Sequence, residues 1–377
     1  MKFTIFTHVP HCKADNLYYA YAPYVREMNI WGGNVDELVI VAPFSLGNKT
    51  AIDSSYSHQK IEFISVSNFD ILSVKSILFT ILELPGLIWT IFKAMQSADH
   101  IHLRCPGNIG LLACIIQIVF PNKPKTAKYA GNWDPESNQP WTYQLQRWIL
   151  SNPFLTRNMH VLVYGEWEGM TTNIKPFFTA TYTEKEVAPV TEKELKGLVD
   201  FIFVGTLVKG KHPLYAIQLV ENLHLKGYSV RLSVYGEGVE REMLEGYIAA
   251  HALENIVSLE GNQTQNIVKK AYMGSHFVVL PSESEGWPKA IAEGMFWGCV
   301  PIATSVSCVP FMLDYGKRGV LLEMNLEKDS AQIDAILLDQ TLFDIKRNKA
   351  AEWSRGYTLD AFEEGIKALL VLKEFKV

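Results

Sequence analysis

Apolar residues follow two spacings along this chain. Short consecutive apolar runs bounded by polar turns mark strands covered on both faces. Longer stretches with an apolar residue every three or four positions mark helices. In the first half, residues 3–6, 38–42, 61–66, 100–103, 126–130 and 159–164 predict strands, and 17–28, 109–120 and 141–150 predict helices. Such alternation implies a parallel sheet flanked by helices. The stretch 184–196 is charged, contains Pro189 and reads as a linker. The pattern then restarts, with strands at 201–204, 231–235, 256–259 and 277–280 and helices at 214–225, 241–250 and 267–273. The tail, 359–376, reads as an amphipathic helix. The expected class is α/β, with two doubly wound, Rossmann-like units facing each other across a crevice and ligands at the carboxyl ends of the strands. The expected division is an N-terminal domain over 1–185, a linker over 186–199, a second domain over 200–345 and a helical segment over 346–377 that packs back towards the first.

Length supports this division, since 377 residues suffice for two cores. Net charge is −5, with the N-terminal half balanced and the acidic excess in the C-terminal half. Neither half carries the basic stripe of a nucleic-acid binder. The five cysteines show no CxxC spacing, which argues against a metal or redox centre and fits a reducing cytoplasm. The apolar run in residues 1–8 is too short for a signal peptide and reads as a first strand. One stretch departs from the soluble pattern. Residues 71–95 are mostly apolar but broken by Pro85 and Gly86, so they span a bilayer poorly. They are either core helices or a surface that meets a membrane or a lipid acceptor.

Candidate chemistry lies in the second half. Gly205, Thr206, Lys209 and Lys211 follow a strand directly, where a glycine permits close backbone approach to a phosphate and the lysines supply charge. The spacing is not that of a Walker loop. Gly236-Glu237-Gly238 follows another strand and reads as a structural turn. Pro281 to Lys289 leads into a helix with Pro288 expected in its first turn, so Gly286, Trp287 and Lys289 would offer amides to an anion. Glu285 and Glu293 stand eight residues apart. Glu293 lies among Ala290, Ile291, Ala292, Met295 and Phe296, where a buried carboxylate is costly without hydrogen-bond donors. It either faces solvent or receives the hydroxyls of a ligand.

In order, Gly205, Lys211, Gly236-Glu237-Gly238, Gly261, Pro281-Ser282, Glu285, Glu293, Gly298 and Pro301 resemble the motif set of the retaining glycosyltransferases of family 4, which have the GT-B fold. The likeness covers residues 200–325 by motif and the rest by architecture. It implies that Glu293 holds the ribose of a nucleotide sugar, that Glu285 lies beside the donor sugar, and that Lys211 neutralises the pyrophosphate. It also implies that the loop at Trp287 to Lys289 approaches the phosphate and sugar, and that no metal or other cofactor is needed. Several features depart from the family, among them the run 130–135, which lacks the histidine that many relatives carry there. Thr206 stands where an arginine is common, and the N-terminal glycine-rich loop is missing. On the acceptor side Asn132, Asp134 and His102 are candidates, with Arg104 where a second histidine is common and His8 at the end of the first strand. Glu285, Lys211, Asp134 and His102 form the expected catalytic set. The implied activity moves a sugar from a UDP- or GDP-sugar to a glycan or lipid-linked hydroxyl, with retention, in cell-surface polysaccharide or lipopolysaccharide assembly. The implied location is cytoplasmic, at the inner face of the membrane. A nucleotide-sugar epimerase of related fold and a catalytically inactive sugar-nucleotide-binding subunit are the alternatives.

Overall fold

The computed structural model describes residues 1–50, 52–67 and 74–371, with the side chains of 74–82 and 371 excepted. Of the apolar stretch 71–95, residues 71–73 lie outside this set, as do 372–376 of the tail. The chain divides into two compact units. One comprises Met1–Phe178 with Glu363–Val377, and the other Thr179–Phe362. The charged stretch 184–196 therefore lies inside the second unit, and the segment after residue 346 is shared between the two. Helix Gln340–Ser354 packs on helix Lys289–Phe296 of the second unit.

The first unit holds a seven-stranded sheet. Its spatial order is Ile174–Phe177, Met159–Tyr164, Lys125–Tyr129, His100–Cys105, Lys2–Phe6, Glu37–Pro43, Ile61–Val66. Every pairing in it is parallel. Strands such as Glu37–Pro43 are buried from the second residue on, which explains their unbroken apolar reading. The chain order reverses between Lys2–Phe6 and His100–Cys105, and such a switch point opens a crevice at the carboxyl ends.

The second unit has a six-stranded parallel sheet in the order Val257–Gly261, Val230–Tyr235, Val199–Val204, Phe277–Leu280, Val300–Thr304, Val320–Leu322. This is the strand order of a dinucleotide-binding domain. Its switch point lies between Val199–Val204 and Phe277–Leu280. The loops that follow these two strands are 205–211 and 281–289, the segments that carry the candidate donor residues.

Two expectations need correction. The helix expected over 17–28 is a strand, Leu17–Tyr21, followed by a helix, Ala22–Gly33. The aromatic run Leu17-Tyr18-Tyr19-Ala20-Tyr21 suits a pleated surface, and Pro23 in the first turn sets the helix start. With Cys12–Ala14 and Asp53–Ser55 this strand forms a small antiparallel sheet that the sequence pattern does not announce. The helix expected over 109–120 is α-helical only over Asn108–Ile116 and tightens to a 3-10 turn at Gln117–Val119.

Candidate functional site

The loop after Val199–Val204 is braced by its neighbour. The amides of Gly205 and Leu207 donate to the carbonyls of Tyr235 and Glu237, and Glu240 donates back to Leu207. The two loops lie so close that a Cβ on Gly236 would stand 1.9 Å from the Gly205 carbonyl oxygen, and one on Gly238 would stand 2.2 Å from that of Leu207. The structural reading of Gly236 and Gly238 thus acquires its cause, which is backbone against backbone. The amides of Val208 and Lys211 are also engaged, with the carbonyls of Thr206 and Val208. Much of this loop's donor capacity is spent on its own shape, so its contribution to an anion rests on its cations. Thr206 and Lys209 are exposed.

Lys211 reaches across the switch point to Glu285, its Nζ donating to Oε1. The Glu285 side chain is only 10% exposed. A second pair runs parallel to it, from His212 Nε2 to Glu283 at 3.0 Å, and the Glu283 amide donates to the Gly210 carbonyl at 2.9 Å. The two loops are therefore tied by backbone and side chains. Beyond them, Ser307 Oγ and Cys308 Sγ both donate to the Gly286 carbonyl at 3.2 Å. Trp287 is buried and packs against Tyr357 and Trp353, with ring centroids 5.2 and 6.0 Å away. Its indole is an anchor for the loop. The helix begins at Lys289, with Pro288 at its N-cap, one position before the expected place.

Glu293 sits within that helix on the same face as Lys289. Its Oε1 accepts from Thr181 Oγ1 at 2.7 Å. Lys289, Glu293, Trp287, Thr181 and Tyr357 line a crevice of about 10 Å³, room for roughly one water. Tyr272 and Tyr182 are both buried, and burial together with the Glu293 charge raises the pKa of each phenol well above its ordinary value. The phenols remain protonated beside a carboxylate. The structure thus joins Lys211 to Glu285 and gives Glu293 a separate partner, Thr181. Nothing in the sequence pattern marks Thr181, because it lies more than a hundred residues away in the chain.

Comparison with known proteins fits this geometry. Residues 185–356 match the family of Glycosyl transferases group 1. Two curated relatives share part of the chain. One is WcaL of Salmonella typhimurium, by name a candidate colanic acid biosynthesis glycosyltransferase, 27% identical over 133 residues that cover 34% of this chain and 33% of that protein. The other is an uncharacterized glycosyltransferase of Haemophilus influenzae, 27% identical over 169 residues that cover 44% and 47%. The chain spans less than half the length of either relative in these matches. Over the full length, sucrose-phosphate synthase from Thermosynechococcus elongatus superposes with a TM-score of 0.70 at 15% identity, covering 98% of both chains. Anabaena HepE in complex with UDP and glucose reaches 0.69 at 13% identity, covering 99% and 100%. The shared architecture is GT-B, with two Rossmann-like α/β domains.

The group 1 match stops short of the first unit, and there the sequence reading changes most. His102 was expected on the acceptor side, and the structure corrects this. Its ring is fully buried in the sheet, with Nδ1 2.8 Å from Thr126 Oγ1 and Phe3 and Trp31 against its faces. Burial, and secondarily Arg104, holds its pKa well below the ordinary histidine value, so it is a neutral core residue. Arg104 is buried as well, paired with Glu27 at 2.7 Å. Asp134 organises the loop after Lys125–Tyr129. Its carboxylate accepts from the Glu136 amide at 2.9 Å, and its own amide donates to Asn132 Oδ1 at 2.9 Å. Trp133 between them is buried against Tyr129. At the switch point of this sheet stands His8, exposed, against Gly107, where a Cβ would meet the imidazole at 2.4 Å. Of the two histidines, His8 is thus the exposed one and His102 the buried one.

Proposed function

We propose that this protein transfers a sugar from a nucleotide-sugar donor, a UDP- or GDP-sugar, to a hydroxyl of a glycan or glycolipid in cell-surface polysaccharide assembly. Transfer proceeds with retention of anomeric configuration, which NMR of the product tests directly. The observation that carries the reading is the Lys211–Glu285 pair at the switch point of a sheet with dinucleotide-domain strand order. The group 1 match over the same residues supports it. The departing group of such a reaction is a nucleoside diphosphate, whose charge rises as the glycosidic bond lengthens. Lys211, with Lys209 two residues before it in the chain and Lys289 at the start of the helix that follows the Glu285 loop, supplies fixed positive charge for it. Glu285 positions the sugar, and Glu293 receives the ribose hydroxyls in place of Thr181. No metal is required in this scheme. HepE, of the same fold, binds UDP and glucose, which puts UDP-sugars first among the donors to try.

The test is a thermal-shift screen of UDP-, GDP- and ADP-sugars with the wild-type protein and Glu293→Ala. A ligand at a hundredfold excess over its Kd stabilises the native state by about 2.7 kcal/mol. One nucleotide sugar should raise Tm in the wild type. The variant should bind it about tenfold more weakly or worse, since a hydrogen bond to a carboxylate contributes about 1.5–3 kcal/mol. If no sugar nucleotide moves Tm, the donor reading fails. If Glu293→Ala binds as tightly as wild type, its ribose role fails.

A lipid-linked acceptor is favoured by one further observation. Helices Val74–Ser97, Asn108–Ile116 and Trp141–Leu150 pack in succession in the first unit. On and beside them Trp89, Val119, Trp148 and Phe154 are each at least 60% exposed. Lys93 and Arg157 stack on Trp89 and Phe154. Exposed aromatics with cations suit a bilayer interface. No helix among the described residues is long and apolar enough to cross a membrane. The protein should float with liposomes containing anionic lipid, and Trp148→Ala should reduce the bound fraction severalfold. Absence of any lipid-bound protein rules this surface out.

A further inference from the structure

Thr181 lies near the start of the second unit, in a run without regular structure that ends at the 3-10 turn Glu184–Glu186. The residues after it fix this run against the helix that carries Glu293. The buried Tyr182 ring packs on Phe296 and Trp297, with centroids 5.0 and 5.1 Å away, and its carbonyl accepts from the Leu359 amide at 2.8 Å. The amide and hydroxyl of Thr183 both donate to Glu186 Oε2, and Glu186 Oε1 accepts from Lys269 at 2.7 Å. The run therefore stays at the helix without help from the Thr181 hydroxyl. That hydroxyl instead occupies Glu293 Oε1, at 2.7 Å.

Its position closes the carboxylate's surroundings. The crevice that Thr181 and Glu293 share has about 10 Å³ of space, enough for roughly one water. A pentose is many times larger, so a ribose reaches Glu293 only after Thr181 has given it up. Binding then exchanges one hydroxyl for another on the same carboxylate, and the hydrogen bond itself brings little net gain. A protein whose binding-competent state is only part of its population also binds more weakly in proportion.

We propose that Thr181 sets the donor affinity of this protein, its hydroxyl competing with the donor ribose for Glu293 and returning to the carboxylate as the nucleoside diphosphate leaves. The proposal rests on the ribose role of Glu293 given above. Thr181 acts through Glu293 and is a positioning residue. Removing the hydroxyl while keeping the shape has opposite effects on the two states. In Thr181→Val the empty protein has one donor fewer at a partly buried carboxylate, which costs stability. The bound protein loses nothing, because the ribose supplies the donor. The variant is thus less stable yet binds more tightly, whereas loss of a residue that only supports the fold would weaken both.

Calorimetry on the full chain tests this, with UDP, GDP and ADP as probes. The proteins are the wild type, Thr181→Val, Thr181→Ser, Glu293→Ala and the double variant Thr181→Val/Glu293→Ala. The diphosphate that binds the wild type best should bind Thr181→Val about tenfold more tightly, the scale of one hydrogen bond to a charged group. Thr181→Ser, which restores the hydroxyl, should bind within twofold of wild type. Glu293→Ala should bind at least tenfold more weakly, and adding Thr181→Val to it should change nothing further. Without ligand, Tm should be lower in Thr181→Val than in Thr181→Ser. Should Thr181→Val fail to fold, Thr181→Ala, which also lacks the hydroxyl, takes its place. If Glu293→Ala weakens binding but Thr181→Val binds within twofold of wild type or more weakly, the proposal falls and the ribose role of Glu293 stands. Tighter binding by Thr181→Val that persists in the Glu293→Ala background also overturns it. If Glu293→Ala binds like the wild type, or no diphosphate binds at all, the donor reading fails and the proposal with it.

Discussion

Lys211→Ala is expected to lower the rate of sugar transfer by about two to three orders of magnitude, the usual cost of removing one preorganised charge from a transition state. The effect has two parts. The lysine charge that would meet the departing diphosphate is lost. In addition Glu285, only 10% exposed and bonded to Lys211, is left as an uncompensated carboxylate beside an incoming dianion. Both parts act on the reacting complex. The lysine itself is 28% exposed on a short 3-10 turn, so its removal costs little packing. Tm should fall somewhat, because Glu285 loses its partner, while kcat falls far more steeply. Initial rates with the sugar nucleotide that gives the largest thermal shift make the measurement. Activity within threefold of wild type would remove Lys211 from the reaction. Adding Glu285→Gln separates the two parts, because the double variant should recover some donor affinity, though not the rate, if repulsion by Glu285 contributes.

Gly236→Ala should destabilise the second unit by roughly 3 kcal/mol, combining steric overlap with an unfavourable left-handed-side backbone. The φ of Gly236 is 143°, and its missing Cβ faces a carbonyl oxygen at 1.9 Å. That oxygen belongs to Gly205, and the loop carrying it is bonded to the Gly236–Gly238 turn at several points. Relief therefore requires one loop to move away from the other, and with it the turn that presents Lys211. Gly227→Ala is the control. Its φ is also positive, at 95°, but nothing lies within 4 Å of its would-be Cβ. It should cost only the conformational part, about 1–2 kcal/mol. Equal loss of stability in the two variants, measured by chemical denaturation, would show that close packing of the loops is unimportant. Donor affinity should fall in Gly236→Ala and hold in Gly227→Ala.

Much of the second unit was readable before any coordinates. Strands covered on both faces must be apolar throughout, so 277–280 stood out at its true bounds and 201–204 within two residues of its own. The residues 17–28 misled because aromatic side chains suit either a helix face or a pleated edge. Pairing with Asp53–Ser55, far along the chain, settled the matter. His102 illustrates a different limit. A histidine in an apolar strand has no local sign of which neighbours cover it, and Thr126 on the adjacent strand supplies the bond that keeps it neutral inside. Glu293 could equally have faced water. The hydroxyl of Thr181, with Tyr272 and Tyr182 near, makes its site a narrow and partly buried one.

The sequence by itself determined the α/β alternation, its repetition after the charged stretch, and the order of glycines, lysines and glutamates that marks the second unit. These depend on local periodicity and on residue type, both of which a chain displays without folding. Only the tertiary structure decided which charges meet. Lys211 and Glu285 are 74 residues apart in the chain and come together because the sheet places their two strands side by side at its switch point. Pairing of the same long-range kind buried His102 and brought His8 to the switch point of the first sheet.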